Sequence, residues 1–283
     1  MNTLKTIVLM GILTAIIVSL GYFFGGRSGL IMAFVFAIAT NFGSYWFSAP
    51  MALAMNNAQP VSREEIPQLY EIVERLAARA KMPVPKIYVI PTDSANAFAT
   101  GRDVNHAAVA VTAGIMRILN WDELEGVLAH ELSHVRNGDI LLCSIAACLA
   151  SVITMVAHYG MYFGGGSRDD GERSVNPIFG LILAIVAPIA AMFIQLAISR
   201  SREFEADASG AKLCGKPLEL AEALKDIEDV NYQRPMATNP AFSSLYIAVP
   251  NPGDMLNKLM STHPPTEERI RRLREMAQGR NVG

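Results

Sequence analysis

The sequence predicts a mostly α-helical membrane protein: four hydrophobic helices plus an α+β domain with a small sheet. Three observations predict it. The stretches 6–26, 28–62, 140–167 and 174–199 carry no Asp, Glu, Lys or Arg, and runs of this length can span ~30 Å of hydrocarbon. Between the second and third stretch, short strand-like runs alternate with capped amphipathic helices. One of those helices contains His130-Glu131-Leu132-Ser133-His134, in a chain with only five histidines.

Composition narrows the field further. Of 283 residues, 51% are hydrophobic and 18% charged, and the net charge is −2, so nothing points to nucleic-acid binding. Cys143, Cys148 and Cys214 are odd in number and lack C-x-x-C spacing, so neither a disulfide framework nor a cysteine metal site is indicated.

In chain order, residues 4–55 form the first region, two N-terminal transmembrane helices. The first run ends at Gly26, and its length and the immediate second span argue against the rival reading, a cleaved signal peptide. The second covers Leu30 to about Met55, with Tyr45, Trp46 and Phe47 as interface markers. Region 56–139 opens with a capping box, Ser62 and Glu65, before an apolar stripe from Ile66 through about Ala80. Strands are expected at Lys86–Ile90, Asn96–Thr100 and Ala107–Thr112, separated by the turn signals Pro91-Thr-Asp and Gly101-Arg-Asp-Val-Asn. A short helix at Gly114–Leu119 leads to the histidine helix, whose start is marked by Asn120 and Glu123. Region 140–199 reads as two membrane helices around Arg168-Asp-Asp-Gly-Glu-Arg173; its Ala, Ser, Pro177, Pro188 and His158 leave a re-entrant hairpin open. Region 200–283 is charged and mostly helical, irregular from about Gln233 to Asp254.

Basic residues orient this arrangement. Segments 63–139 and 200–283 hold 8 and 12 of the 24 Lys and Arg residues, and with four spans both fall on one side, which should be cytoplasmic.

The histidine helix carries the chemistry. Residues four apart on a helix lie on one face about one turn along, so His130 and His134 can reach one ion. Glu131 then stands beside the position of an activated water, and the set reads as two zinc ligands and the general base of a metalloprotease. The bland alternative, a chance pattern on a solvated helix, fits less well with the capping box and the stripe Leu124, Val127, Leu128 and Leu132. A catalytic zinc takes three protein ligands, one ion per chain here. The best source of the third is Arg202-Glu203-Phe204-Glu205-Ala206-Asp207. Glu203 and Asp207 share a face, so Glu203 can bind the ion while Asp207 orients a ligand histidine; Glu205, on another face, is the alternative. If the helices ran on unbroken, the ion would lie ~6–9 Å from the apolar runs.

Two N-terminal spans, Asn96-Ala-Phe-Ala-Thr-Gly101, His130-Glu-Leu-Ser-His134, Arg202-Glu-Phe-Glu-Ala-Asp207 and His263-Pro-Pro-Thr-Glu-Glu-Arg269 occur in this order. Together they resemble an HtpX-type membrane zinc metalloprotease, a relative of the type I CAAX prenyl proteases, over essentially the whole chain. The resemblance implies a zincin, gluzincin-like, catalytic domain with Glu203 as third ligand. It implies that Asn96, Ala97, Phe98 and Ala99 belong to the edge strand along which a polypeptide substrate pairs. It further implies that His263 stabilises the oxyanion with Arg269 supporting it. Polypeptide substrates, membrane proteins among them, the lipid bilayer of the bacterial inner membrane and a role in membrane-protein quality control follow as expectations. A non-catalytic zinc scaffold or a metal transporter are the competing classes. The intact Glu131 argues against the first, and the position of the ligands outside the apolar runs against the second.

Overall fold

The computed structural model describes residues 2–145, 165–167, 173–175, 200–234, 245–248 and 264–280. His263, His158 and most of the expected third and fourth spans lie outside these residues.

Helix α1 (Asn2–Met55) is two helices joined at Gly26, where φ 56 and ψ −141 break the helical path. Only glycine adopts such a conformation readily. The side chain of Asn41 donates to Thr14 Oγ1 at 2.7 Å. In one straight helix these residues would stand about 40 Å apart, so the two halves fold back on each other. Gly21 and Gly29 sit at the contact, where a Cβ on Gly29 would collide with the Gly21 carbonyl. Gly25–Met55 is, among the described residues, the one helix long and apolar enough to cross a membrane. Its Phe34, Val35, Phe36 and Phe42 are exposed, as suits lipid contact. At its far end Ala52 and Leu53 are buried against protein. Trp46 carries the Arg102 guanidinium 4.3 Å from its ring centre.

After α1, β1 (Gln59–Pro60), α2 (Pro67–Ala80), β2 (Lys86–Ile90), β3 (Ala97–Gly101) and β4 (Ala107–Thr112) follow. The sheet order is β1-β2-β4-β3, with β2 parallel to β4 and β3 antiparallel to it at the edge. Strand side chains alternate between faces. Val109, Val111, Ala97 and Ala99 enter the main core with α2, while Phe98, Ala108 and Ala110 pack on the end of α1 and on Leu245 and Tyr246. Burial on both faces explains why Ala107–Thr112 reads as an unbroken apolar run. The start of α2 and the presence of β1 differ from expectation, and β3 and α3 are each shifted by one residue. Glu65 does accept from the Ser62 N–H at 2.6 Å, but α2 starts only at Pro67, whose missing N–H suits a first helical position. The two-residue β1 has no periodicity by which a sequence could reveal it.

Helix α3 (Ala113–Ile118) leads into α4 (Trp121–Asn137), which begins with the complete Asn120/Glu123 capping box. It ends at Gly138, φ 73, so the helix does not run on toward Ile140 as an unbroken rod. A new helix occupies 140–145. Flanking the expected polar turn, β5 (Gly165–Ser167) pairs antiparallel with β6 (Arg173–Val175). Helices α5 (Arg200–Cys214), α6 (Pro217–Gln233) and α7 (Thr266–Ala277) complete the described chain, and α4 is packed by α2, α5 and α6.

Candidate metal centre

The centre forms where α5 crosses α4. A Cβ on Gly210 would lie 2.7 Å from the His130 backbone nitrogen and 2.8 Å from its Cα, so the helices approach this closely only because residue 210 has no side chain. One turn earlier on α5, Asp207 reaches His130, and one turn before that, Glu203 reaches both histidines. His130 Nε2 and His134 Nε2 stand 3.1 Å apart, with Glu203 oxygens 3.7 and 3.5 Å from them. Glu205 is exposed and takes no part in this group.

The opposite ring nitrogens are both occupied by carboxylates. His130 Nδ1 meets Asp207 Oδ1 at 2.9 Å, and His134 Nδ1 meets Asp139 Oδ2 at 3.1 Å. With each Nδ1 engaged by a carboxylate, a neutral imidazole turns its Nε2 lone pair toward the point that the Glu203 carboxylate also faces, the arrangement by which three donors can share one cation. Donor atoms around a tetrahedral zinc with ~2.0–2.1 Å bonds stand roughly 3.3 Å apart, so this donor set fits zinc. The cleft beside it encloses a cavity of ≈20 Å³, bordered by Ala99, Glu131, Ile140, Cys143 and Leu245–Ile247. That is space for about one water molecule.

Electrostatics sharpen the picture. Burial pushes the Glu131 carboxyl up to about 8, opposed by His134 and the nearby Ala99 N–H and aided by Glu203. Burial holds His130 below its ordinary value against the pull of Asp207. At His134 burial acts the same way, but Asp139, Glu203 and Glu131 outweigh it and lift the imidazole to about 9.

Arg269 is not a surface charge of a basic helix. It is 2% exposed. Its Nε and Nη2 donate to the two oxygens of Asp207 at 2.8 and 2.7 Å, and Nη1 donates to the Ile247 carbonyl at 2.7 Å. Burial raises the Asp207 carboxyl, yet this guanidinium, together with His130, overrides it and holds the carboxyl at about 2. Arg269 thus braces the carboxylate behind a histidine. Its relation to His263 lies outside the described residues.

The expected substrate strand is partly engaged already. Asn96 Nδ2 donates to the Ala248 carbonyl at 3.0 Å, and its Oδ1 accepts the Ala248 N–H at 3.3 Å. The Ala97 carbonyl, which faces away from β4, accepts the Ile247 N–H at 3.0 Å. Phe98 is turned to the other face, edge-on to Tyr246. Ala99, two residues on and so on the same side of the strand as Ala97, borders the cavity beside the centre. Sequence reasoning missed two contributors, Asp139 and the segment 245–248. An acid placed directly after a helix-ending glycine was the available signal for the first; the second sat inside an irregular stretch and gave none.

The pattern of Peptidase family M48 matches residues 63–277. The protein described as "Protease HtpX homolog" in Sulfurihydrogenibium sp. (strain YO3AOP1) is 50% identical over 291 residues, covering 100% of this chain and 98% of that one. The protein of the same description in Ralstonia nicotianae (strain ATCC BAA-1114 / GMI1000) is 49% identical over 280 residues, covering 98% and 97%. Among solved structures, the crystal structure of S. mikatae Ste24p matches with a TM-score of 0.52 and 22% identity over 96% of this chain, which spans 65% of that longer protein. At that identity the likeness is one of fold.

Proposed function

We propose, on the premise that this chain belongs to peptidase family M48 and is a membrane metalloprotease, that His130, His134 and Glu203 hold one catalytic zinc ion and that Glu131 is the general base. The observation that carries this is the convergence of three lone-pair donors on one point, with a buried carboxyl alongside. Bound there, zinc supplies Lewis acidity toward a substrate carbonyl and makes a neighbouring water easier to deprotonate.

The protein's own groups do the rest. Glu131, whose carboxyl is buried beside the three donors, takes the proton of the attacking water and hands it to the leaving amine. Asp207, braced by Arg269, keeps the His130 ring from turning. An extended polypeptide pairs with the sheet edge through the outward groups near Ala99, because those of Asn96 and Ala97 are held by residues 247–248. His263 keeps the role of oxyanion donor that the resemblance implies. The catalytic domain is formed by 56–139 and 200–283, with the 140–199 pair between them. It faces the cytoplasm from the bacterial inner membrane, and its substrates are membrane proteins or polypeptides brought to that surface, consistent with quality control.

Glu131→Gln keeps size and polarity but removes proton acceptance. Purified in detergent, it should retain about one zinc per chain and cleave an unfolded membrane-protein substrate at under about one-hundredth of the wild-type rate. Wild-type cleavage should stop with a chelator and return with zinc. Cleavage that survives both chelation and Glu131→Gln would overturn the assignment. His263→Phe should lower kcat by roughly 10²–10³ with little change in KM; near-normal kcat would leave His263 a structural residue.

A further inference from the structure

We infer that Asp139 is a positioning residue for the metal: its carboxylate holds the His134 ring with Nε2 toward the ion, and it does so from the hinge that leads into the 140–199 segment. This rests on the zinc assignment above. Three observations carry it, beginning with the contact itself. Asp139 is 2% exposed, and its Oδ2 lies 3.1 Å from His134 Nδ1, the nitrogen opposite the donor that meets His130 and Glu203.

Second, the backbone is bent to make this contact. In a continuing helix, the residue five places after His134 would be turned about 140° around the axis and would face away from it. Instead Gly138 takes the left-handed conformation, φ 73, and the Asp139 N–H donates back to the His134 carbonyl at 3.0 Å. This reversal brings the carboxylate to the imidazole. A Cβ at position 138 would meet nothing within 4 Å, so the glycine serves the conformation and not the packing.

Third, Asp139 touches two further parts of the molecule. Its other oxygen is 3.9 Å from Nε of Arg202, the residue before the third donor Glu203. Its carbonyl accepts the Cys143 N–H at 3.1 Å, the opening bond of the helix at 140–145. One residue therefore links a metal-facing histidine, the helix of the third donor and the start of the next apolar run. The two histidines are held alike, but by carboxylates from different places: Asp207 is braced by the C-terminal helix, Asp139 by the hinge.

The test is zinc affinity of the full chain in detergent, by competition with a chromophoric chelator, alongside the visible spectrum of the cobalt(II)-loaded protein and thermal unfolding of the metal-free protein. Asp139→Ala should raise the zinc Kd about 10- to 100-fold and shift the cobalt bands, with the metal-free unfolding temperature little changed. Asp139→Asn, which fills the same space and keeps an acceptor, should recover part of the affinity and guards against misfolding. Zinc Kd values within about twofold of wild type for both variants, where His134→Ala loses the ion, would overturn the inference and leave the zinc assignment standing. A wild-type chain that binds no zinc would overturn both.

Discussion

Asp207 and Arg269 form a buried pair in which either charge alone is costly. Arg269→Met leaves a carboxylate without its guanidinium in the core, which should destabilise the fold by about 3–5 kcal/mol. Asp207→Asn combined with Arg269→Met removes both charges and should recover part of that loss; denaturant unfolding of the metal-free protein measures both. The folded carboxyl is held at about 2, below the ordinary value of about 4. Its contribution is therefore complete above about pH 4 and is lost as the pH falls toward 2. The double variant should show a flatter stability profile across that window, and an unchanged slope would contradict the pairing. The sequence half-revealed this residue. Arg269 is one of four arginines between 269 and 274, and charge alone cannot single it out. Its spacing of four from Leu273, which is also buried, places both on one face of α7. A helical stripe that includes an arginine was the legible sign of a buried cation.

Between elements, the centre depends on two glycines that do different work. Gly210 allows α5 to lie against α4; a methyl there must push the helices apart by several tenths of an ångström or more to reach ordinary contact. Gly210→Val should therefore cost about 1–3 kcal/mol and weaken zinc binding. Gly43→Ala, on an open face of α1, should change neither. Gly138→Val strains only the backbone turn, and should weaken zinc binding although position 138 offers the ion nothing. The start of α4 was legible because it carries local chemistry, the Asn120/Glu123 box; its end at Gly138 was not among the expectations, although a glycine is the usual local sign of a helix end. Gly210 was not legible, because close approach is a property of two helices distant in sequence. The same holds for residues 245–248, which acquire their place only by lying along β3.

At the scale of the whole molecule, the end of α1 packs against the sheet. Ala52 and Leu53 enter the apolar cluster that holds Phe98 and Tyr246, and the Tyr246 hydroxyl donates to Asn56 at 2.8 Å. The uncharged runs pointed to two successive apolar helices, but this docking involves residues some 190 positions apart, beyond the reach of local pattern. Tyr246→Phe keeps the ring and removes the hydroxyl, so Asn56 loses its donor; it should lower stability by about 1 kcal/mol, read from thermal unfolding in detergent. Topology is testable as well. With four spans, a cysteine at Ser167 should react with an impermeant reagent added outside the cell, and one at Asn281 only after permeabilisation. Protection of Ser167 from outside and reactivity from the cytoplasm would make 140–199 a re-entrant pair.

The distribution of the centre along the chain has a consequence for its birth. The ribosome delivers the histidine pair first, then everything between positions 138 and 200, and only then Glu203; the brace, Arg269, emerges later still. On the proposed assignment, a nascent chain therefore carries two of the three metal donors and Glu131 but no complete site until Glu203 has been made. A peptidase with this centre gains its activity only late in its own synthesis. Translation products that break off before Glu203 lack the third donor in the same way.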